Sequence, residues 1–390
     1  MTATASSNGR SLVGRFLREE AAFLVALLTF VILHFGLHDT LNKAITPETA
    51  QPLVGALFAV WLFAVVLWAA FNVVRHADVL AIKLGEPLGT LILTLAVVGI
   101  EVSLISAVML TGAEAPTMAR DTMTAVLMIV LGGLTGASLL IGGFFHGEQD
   151  YNLPGARAYL GVLVPLAVFA LVLPDFTAST DSPTFTPVQA GFFAIITLVL
   201  YGIFLAIQTL RHKSYFEQPM QERAADHEAA PGHSHDHGPQ HATSYHAVLL
   251  LLTLVTIVLL AELIAMIVDF GIVQAGAPVA LGGVIIALVV LTPESMAALA
   301  AARANQLQRS VNLLLGSALS TIGLTLPAVV AVSLITGANL QLGLDMAPMV
   351  LLLLTLVVCL MTFGGTRTNV LQGAVHIVLF LAYLLLIFSP

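Results

Sequence analysis

The chain has 390 residues, of which 58% are hydrophobic and 9% charged, with a formal net charge of −8. Soluble domains carry about 25% charged residues, so this composition, with a mean hydropathy of +0.98, excludes a water-soluble globule and makes hydrocarbon the expected solvent. No basic cluster invites a nucleic-acid partner, and a single cysteine, Cys359, excludes intrachain disulfides and cysteine-based zinc sites.

A bilayer core takes about 20 apolar residues per helix. Eleven runs of this kind follow one another, near 21–37, 52–74, 88–111, 122–144, 156–173, 187–208, 246–268, 278–301, 310–335, 347–363 and 369–388. The first opens just after Arg18 with no cleavage site behind it, so it reads as a span and not as a signal peptide. The period-2 alternation of a barrel is absent. The expected fold is an all-α polytopic membrane protein of about eleven helices.

Placing the N-terminus in the cytoplasm leaves only Lys43 and Arg120, of the 14 basic residues, on the outer side. Positive charge favours the inside, so this orientation is adopted, with the C-terminus outside and the chain in the inner (plasma) membrane. The long hydrophilic stretch near 209–245 is then cytoplasmic. It divides the chain into an N-terminal segment with the first helix (1–45), a five-helix repeat (46–208), a His/acid-rich linker (209–245) and a second five-helix repeat (246–390).

The repeat is visible in the residues. GEPLGTLILTLAVVGIE (85–101) aligns without gaps on PVALGGVIIALVVLTPE (278–294), matching Gly89 with Gly282, Ile92 with Ile285, Leu95 with Leu288, Val97 with Val290 and Glu101 with Glu294. Repeats with odd numbers of helices enter the membrane from opposite sides. Inverted repeats place transporter sites at their interface near the midplane.

Glu101 and Glu294 are the candidate ion and proton ligands. A charged group at that depth costs about 2.5–3.5 kcal/mol on insertion scales, and a bound cation or a proton offsets it. Competition between the two for one carboxylate is the basis of antiport. Pro293 has no N–H and frees the carbonyl of Val289. Gly99, Thr94, Ser103, Thr292 and Ser295 flank the glutamates, and Asn312 and Ser317 spot the helix that follows Glu294. These donors are oxygen-rich, suited to hard cations; the rival reading of each hydroxyl is a bond to its own helix. Glu86 and Glu262 are candidates for an access path. His376 reads as a packing residue. The linker histidines, His233, His235 and His237 above all, are candidates for a cytoplasmic sensor, against the plainer reading of a solvated linker.

The segments 85–107, 293–327 (PESMAALAAARANQLQRSVNLLLGSALSTIGLTLP) and 364–376 (GGTRTNVLQGAVH) resemble the bacterial calcium/proton antiporters of the cation/calcium exchanger superfamily. That resemblance implies one helix followed by two inverted five-helix repeats, with Glu101 and Glu294 as the two repeat-motif glutamates. It implies export of Ca²⁺, with Na⁺ and K⁺ also accepted, in exchange for H⁺. Many superfamily members carry an asparagine before each glutamate; VVGIE (97–101) and VLTPE (290–294) do not, which leaves room for monovalent ions. A monovalent cation/proton antiporter without Ca²⁺ transport is therefore the alternative. An intramembrane enzyme is remote, since no HExxH, GxSxG or GxGD-type motif occurs. The expected partners are membrane lipid and inorganic cations, with no nucleic acid and no cofactor, and with room for a homo-oligomer.

Overall fold

The structure, a computed structural model, describes residues 12–45, 51–84, 88–111, 116–180, 182–218 and 241–389. Glu86, His233, His235 and His237 lie outside the described residues. The helices are α1 (Leu12–Glu19), α2 (Ala21–Val31), α3 (His38–Ile45), α4 (Pro52–Leu84), α5 (Leu88–Thr111), α6 (Met118–His146), α7 (Leu153–Leu171), α8 (Pro187–Arg211), α9 (Thr243–Ala275), α10 (Ala280–Arg303), α11 (Leu307–Thr336), α12 (Met346–Thr362) and α13 (Val370–Phe388). Among the described residues the only strands are Gln149–Asp150 and Arg367–Thr368. Helices satisfy every backbone group within one segment, which hydrocarbon demands.

By length and composition, 8 described helices are able to cross a membrane, or 9 if the bent pair at the N-terminus is one span. All eleven apolar runs are helical, but two of them, Met346–Thr362 and the Thr94–Ala107 part of α5, are apolar and shorter. The run 21–37 does not continue straight. A wide turn at Ile32–Gly36 ends it, and α3 leaves at 81°. The polar sequence HDTLNK begins at that corner.

The two halves repeat each other in form. α4 and α9 are both 33 residues long, and α5 and α10 both 24. A wide, i→i+5 turn interrupts α6 at Met128–Leu134 and α11 at Thr321–Thr325, and the two begin 193 residues apart, the separation of Glu101 and Glu294. Such turns arise where something must pack closely or a carbonyl must be freed. Here glycines allow it: a Cβ on Gly132 would meet Phe380 of α13 at 3.1 Å, and one on Gly323 would meet the Tyr201 ring of α8 at 2.8 Å. α8 and α13 both open on a capping box, Thr186 with Gln189 and Asn369 with Gln372.

Among the described residues two large apolar bodies result, with a small third cluster of Ile105, Ala119 and Val329 joining α5, α6 and α11. One is built from α2, α4 and α9 with faces of α5 and α10. The other contains α6, α7, α8, α11, α12 and α13, together with the opposite face of α10. α10 serves both through alternate faces: Ile286 and Val290 enter the first, Ala287 and Leu291 the second. The glutamate-bearing helices therefore run along the seam between the bodies.

Loops gather at two ends. At one, Gln149 and Asp150 pair with Thr368 and Arg367, and buried Gln149 donates through Nε2 to Ala302 O (3.0 Å) and Asn305 Oδ1 (2.9 Å). At the other, Arg120 donates to Asp121 Oδ1 (2.9 Å) and to Gly343 O (2.8 Å), fastening the loop before α12 to the start of α6. Arg157, Arg303 and Arg367 lie at the Gln149 end. Arg120, one of the two basic residues expected outside, lies at the opposite end.

Candidate ion-binding site

Ala96, Val97, Ile100 and Leu104 of α5 turn into the α4–α9 body. Glu101 points instead toward α11. It is 2% exposed, and its Oε2 accepts a hydrogen bond from Thr321 Oγ1 at 2.9 Å. Thr321 sits at the start of the wide turn, and Thr325, one turn on, also approaches the carboxylate. The other oxygen, Glu101 Oε1, is buried without a partner, as is Thr325 Oγ1.

Glu294 follows Pro293 on α10 and is half-buried; its Oε2 is enclosed and has no partner. Ser317, on the same helix as Thr321, reaches it. The two glutamates are close enough that the charge of Glu294 acts on Glu101. One helix, α11, thus presents hydroxyls to both. An enclosed carboxylate oxygen with no donor is costly. Two of them beside three hydroxyls form an all-oxygen donor set that a hard cation or protons would complete.

The other expected ligands are distributed differently. Ser103 Oγ donates to Gly99 O (2.5 Å), Thr292 Oγ1 to Leu288 O (2.6 Å) and Ser295 Oγ to Leu291 O (2.6 Å), so all three hydroxyls are spent on their own helices. Gly99 backs onto Leu254 of α9. Thr94 faces Tyr201. Val289 packs in the α4–α9 body, its carbonyl still without a donor from Pro293. Asn312 is a correction: its Nδ2 donates to Phe216 O (2.6 Å) and its Oδ1 accepts from Gln308 (2.8 Å), because it lies only one turn into α11 and ties that helix to the segment after α8. Glu262 is exposed on α9.

Sequence reasoning did not reach Thr325. Its signal was the i, i+4 spacing from Thr321, which a wide turn preserves on one side of the helix. His376 is fully buried, with Nδ1 donating to Leu131 O in the wide turn of α6 (2.6 Å) and Nε2 3.0 Å from Thr362 Oγ1. It packs and bonds, as expected.

The family model described as sodium/calcium exchanger protein matches residues 54–210 and again 245–389. The sodium-potassium/proton antiporter ChaA of Escherichia coli (strain K12) is 40% identical over 383 residues, 98% of this chain and 100% of that protein. The putative ionic transporter y4hA of Sinorhizobium fredii (strain NBRC 101917 / NGR234) is 42% identical over 323 residues, 83% of this chain and 86% of that one. Among solved structures, native YfkE superimposes with a TM-score of 0.66 at 18% identity, covering 94% of this chain and 100% of that one. The H⁺/Ca²⁺ exchanger CAX gives 0.64 at 17%, covering 95% and 89%. Two matches of one exchanger model to the two halves, and 40% identity over nearly the whole length, establish that this chain is a polytopic membrane protein of the sodium/calcium exchanger family.

Proposed function

We propose that the chain exchanges cations for protons by alternating access, with Glu101 and Glu294 as the shared site. The observation that carries this reading is the pair itself. Equivalent positions of two repeats bring two carboxylates into one electrostatic site at the seam between the apolar bodies, each with an enclosed, partnerless oxygen. Two negative charges are neutralised either by a cation or by protons. Loading one expels the other, and that is the coupling.

α11 positions the exchange. Thr321 orients Glu101 through its O–H, Ser317 reaches Glu294, and Thr325 stands beside Glu101 with its hydroxyl unengaged, so that each offers an oxygen to a cation. The donor set holds no sulfur and no histidine, so the substrate class is a hard ion: Ca²⁺, Na⁺ or K⁺. The 40% identical relative is a sodium-potassium/proton antiporter by name, and the missing asparagines agree with it. Export of Ca²⁺ with Na⁺ and K⁺ as further substrates is the reading adopted; exchange restricted to monovalent ions is the second, favoured by Asn312 being engaged elsewhere. The N-terminus and the Gln149 end are assigned to the cytoplasm on the bias of basic residues, and 46–208 and 246–390 are taken as the two repeats. The test is cation-driven dissipation of an imposed pH gradient in everted vesicles, with Ca²⁺, Na⁺ and K⁺ compared side by side. Dissipation by Na⁺ and K⁺ but not by Ca²⁺ would select the second reading.

A further inference from the structure

The ends of α4 and α9 carry a polar cluster, buried at Glu20, Asn72 and His76, that exchange at Glu101 and Glu294 leaves unused. Glu20, between α1 and α2, is 1% exposed. Its Oε2 accepts from Arg75 Nη2 (2.9 Å), His76 Nε2 (3.0 Å) and Asn72 Nδ2 (3.4 Å), and its Oε1 from Tyr245 OH (2.8 Å). On its other side, His76 Nδ1 lies 2.9 Å from His246 Nδ1 of α9. Two imidazole nitrogens at that distance need one N–H and one lone pair between them.

We propose that His76 and His246 form a proton-binding site that holds the end of α4 against α9 while at most one ring is charged, and releases it when both are. With His76 Nε2–H given to Glu20, the neutral pair is joined by His246 Nδ1–H donating to His76 Nδ1. A first added proton goes to the free Nε2 of His246, and the bridging hydrogen bond stays. A second goes to His76 Nδ1. Two N–H groups then face each other between two cations, and the contact becomes repulsive.

The surroundings set how hard that second step is. From the α1–α2 side Glu20 and Glu19 face the cluster, Glu19 bonded to His241 (2.9 Å). From α4, Lys83 and Arg75 face His246, as does His241. Asp78, also on α4, faces Arg309. From α9, Tyr245 lies edge-on to both His76 and His246 and stacks on His241. The described part of α5 brings no titratable group to this end. The second proton would set two imidazolium rings against each other beside Arg75 and Lys83, so release belongs to acid conditions. In the orientation proposed above these ends face the cytoplasm. An exchanger that carries protons inward is then restrained by the protons it accumulates. Only that last sense rests on the exchange reading; the switch does not.

The test uses the full chain with spin labels on Ile82→Cys and Val248→Cys, positions that are 81% and 54% exposed on α4 and α9. The label distance is measured as pH falls from alkaline to well below the ordinary histidine value of about 6.5. It is expected to lengthen or broaden on acidification. His246→Asn, which keeps an N–H toward His76 but takes no second proton, is expected to abolish that change. In vesicles the same variant keeps its alkaline exchange rate while the acid limb of the pH profile moves down by about one unit or more. A wild-type distance that ignores pH, or a response that survives in His246→Asn, overturns the proposal. The distance needs no transport, so its failure is distinct from failure of the exchange reading.

Discussion

Thr321 donates its hydroxyl to Glu101 across 220 residues of sequence, at 2.9 Å. This bond joins a helix of the first half to a helix of the second at the seam between the two apolar bodies. It also orients one of the two carboxylates proposed as the exchange site.

Replacing Thr321 with Val keeps the shape and removes the donor. A hydrogen bond to a charged group is worth about 1.5–3 kcal/mol, so the apparent cation affinity falls roughly tenfold or more. Initial exchange rates against cation concentration check this. The expected pattern is a raised KM in a protein that still folds, because α11 packs through other residues.

Close approach of α6 and α10 depends on Gly283. A Cβ there would lie 2.7 Å from the backbone of Asp121 and Thr122, which has no flexible end to move aside. Gly283→Ala is expected to lower stability by about 1–3 kcal/mol, the usual range for overpacking. Gly282→Ala is milder, since its nearest neighbours are the side-chain tips of Ile272 (3.1 Å) and Met118 (3.2 Å). Thermal melts of the two purified variants in one detergent rank them.

Acid sensitivity follows from Glu20. Burial alone would raise its pKa, but hydrogen bonds from His76 and Tyr245 and the charge of Arg75 outweigh that and hold it at about 2, below the ordinary 4.5. A depressed carboxylate contributes stability above its unfolded pKa and loses it as pH falls toward the folded one. The melting temperature therefore declines between about pH 4.5 and about pH 2. In Glu20→Gln that decline is shallower, from a lower starting point, and a pH series of melts shows both.

The helical fold was legible because the apolar runs are long and the turns between them are polar. The glutamate pair was legible because a charged residue is conspicuous in such runs, and because the same spacing recurs around Glu101 and Glu294. Hydroxyl partners were harder. Ser103, Thr292 and Ser295 sit near the glutamates in sequence, yet each bonds the carbonyl four residues back. Thr321, Thr325 and Ser317 come from the next helix, where a wide turn decides which side faces the seam. A turn of that kind has no strong residue signature beyond its glycine. The Glu20–His76–His246 cluster joins positions 56 and 170 residues apart, and local pattern says nothing at that range.

The most direct measurement is proton flux in proteoliposomes of the purified chain, driven by a cation gradient, for Glu101→Gln and Glu294→Gln separately. Each neutral amide keeps the volume and removes the negative charge that a cation and a proton contest. The account predicts wild-type collapse of the pH gradient and none in either variant, with both variants folded. A wild-type rate in either one would contradict it.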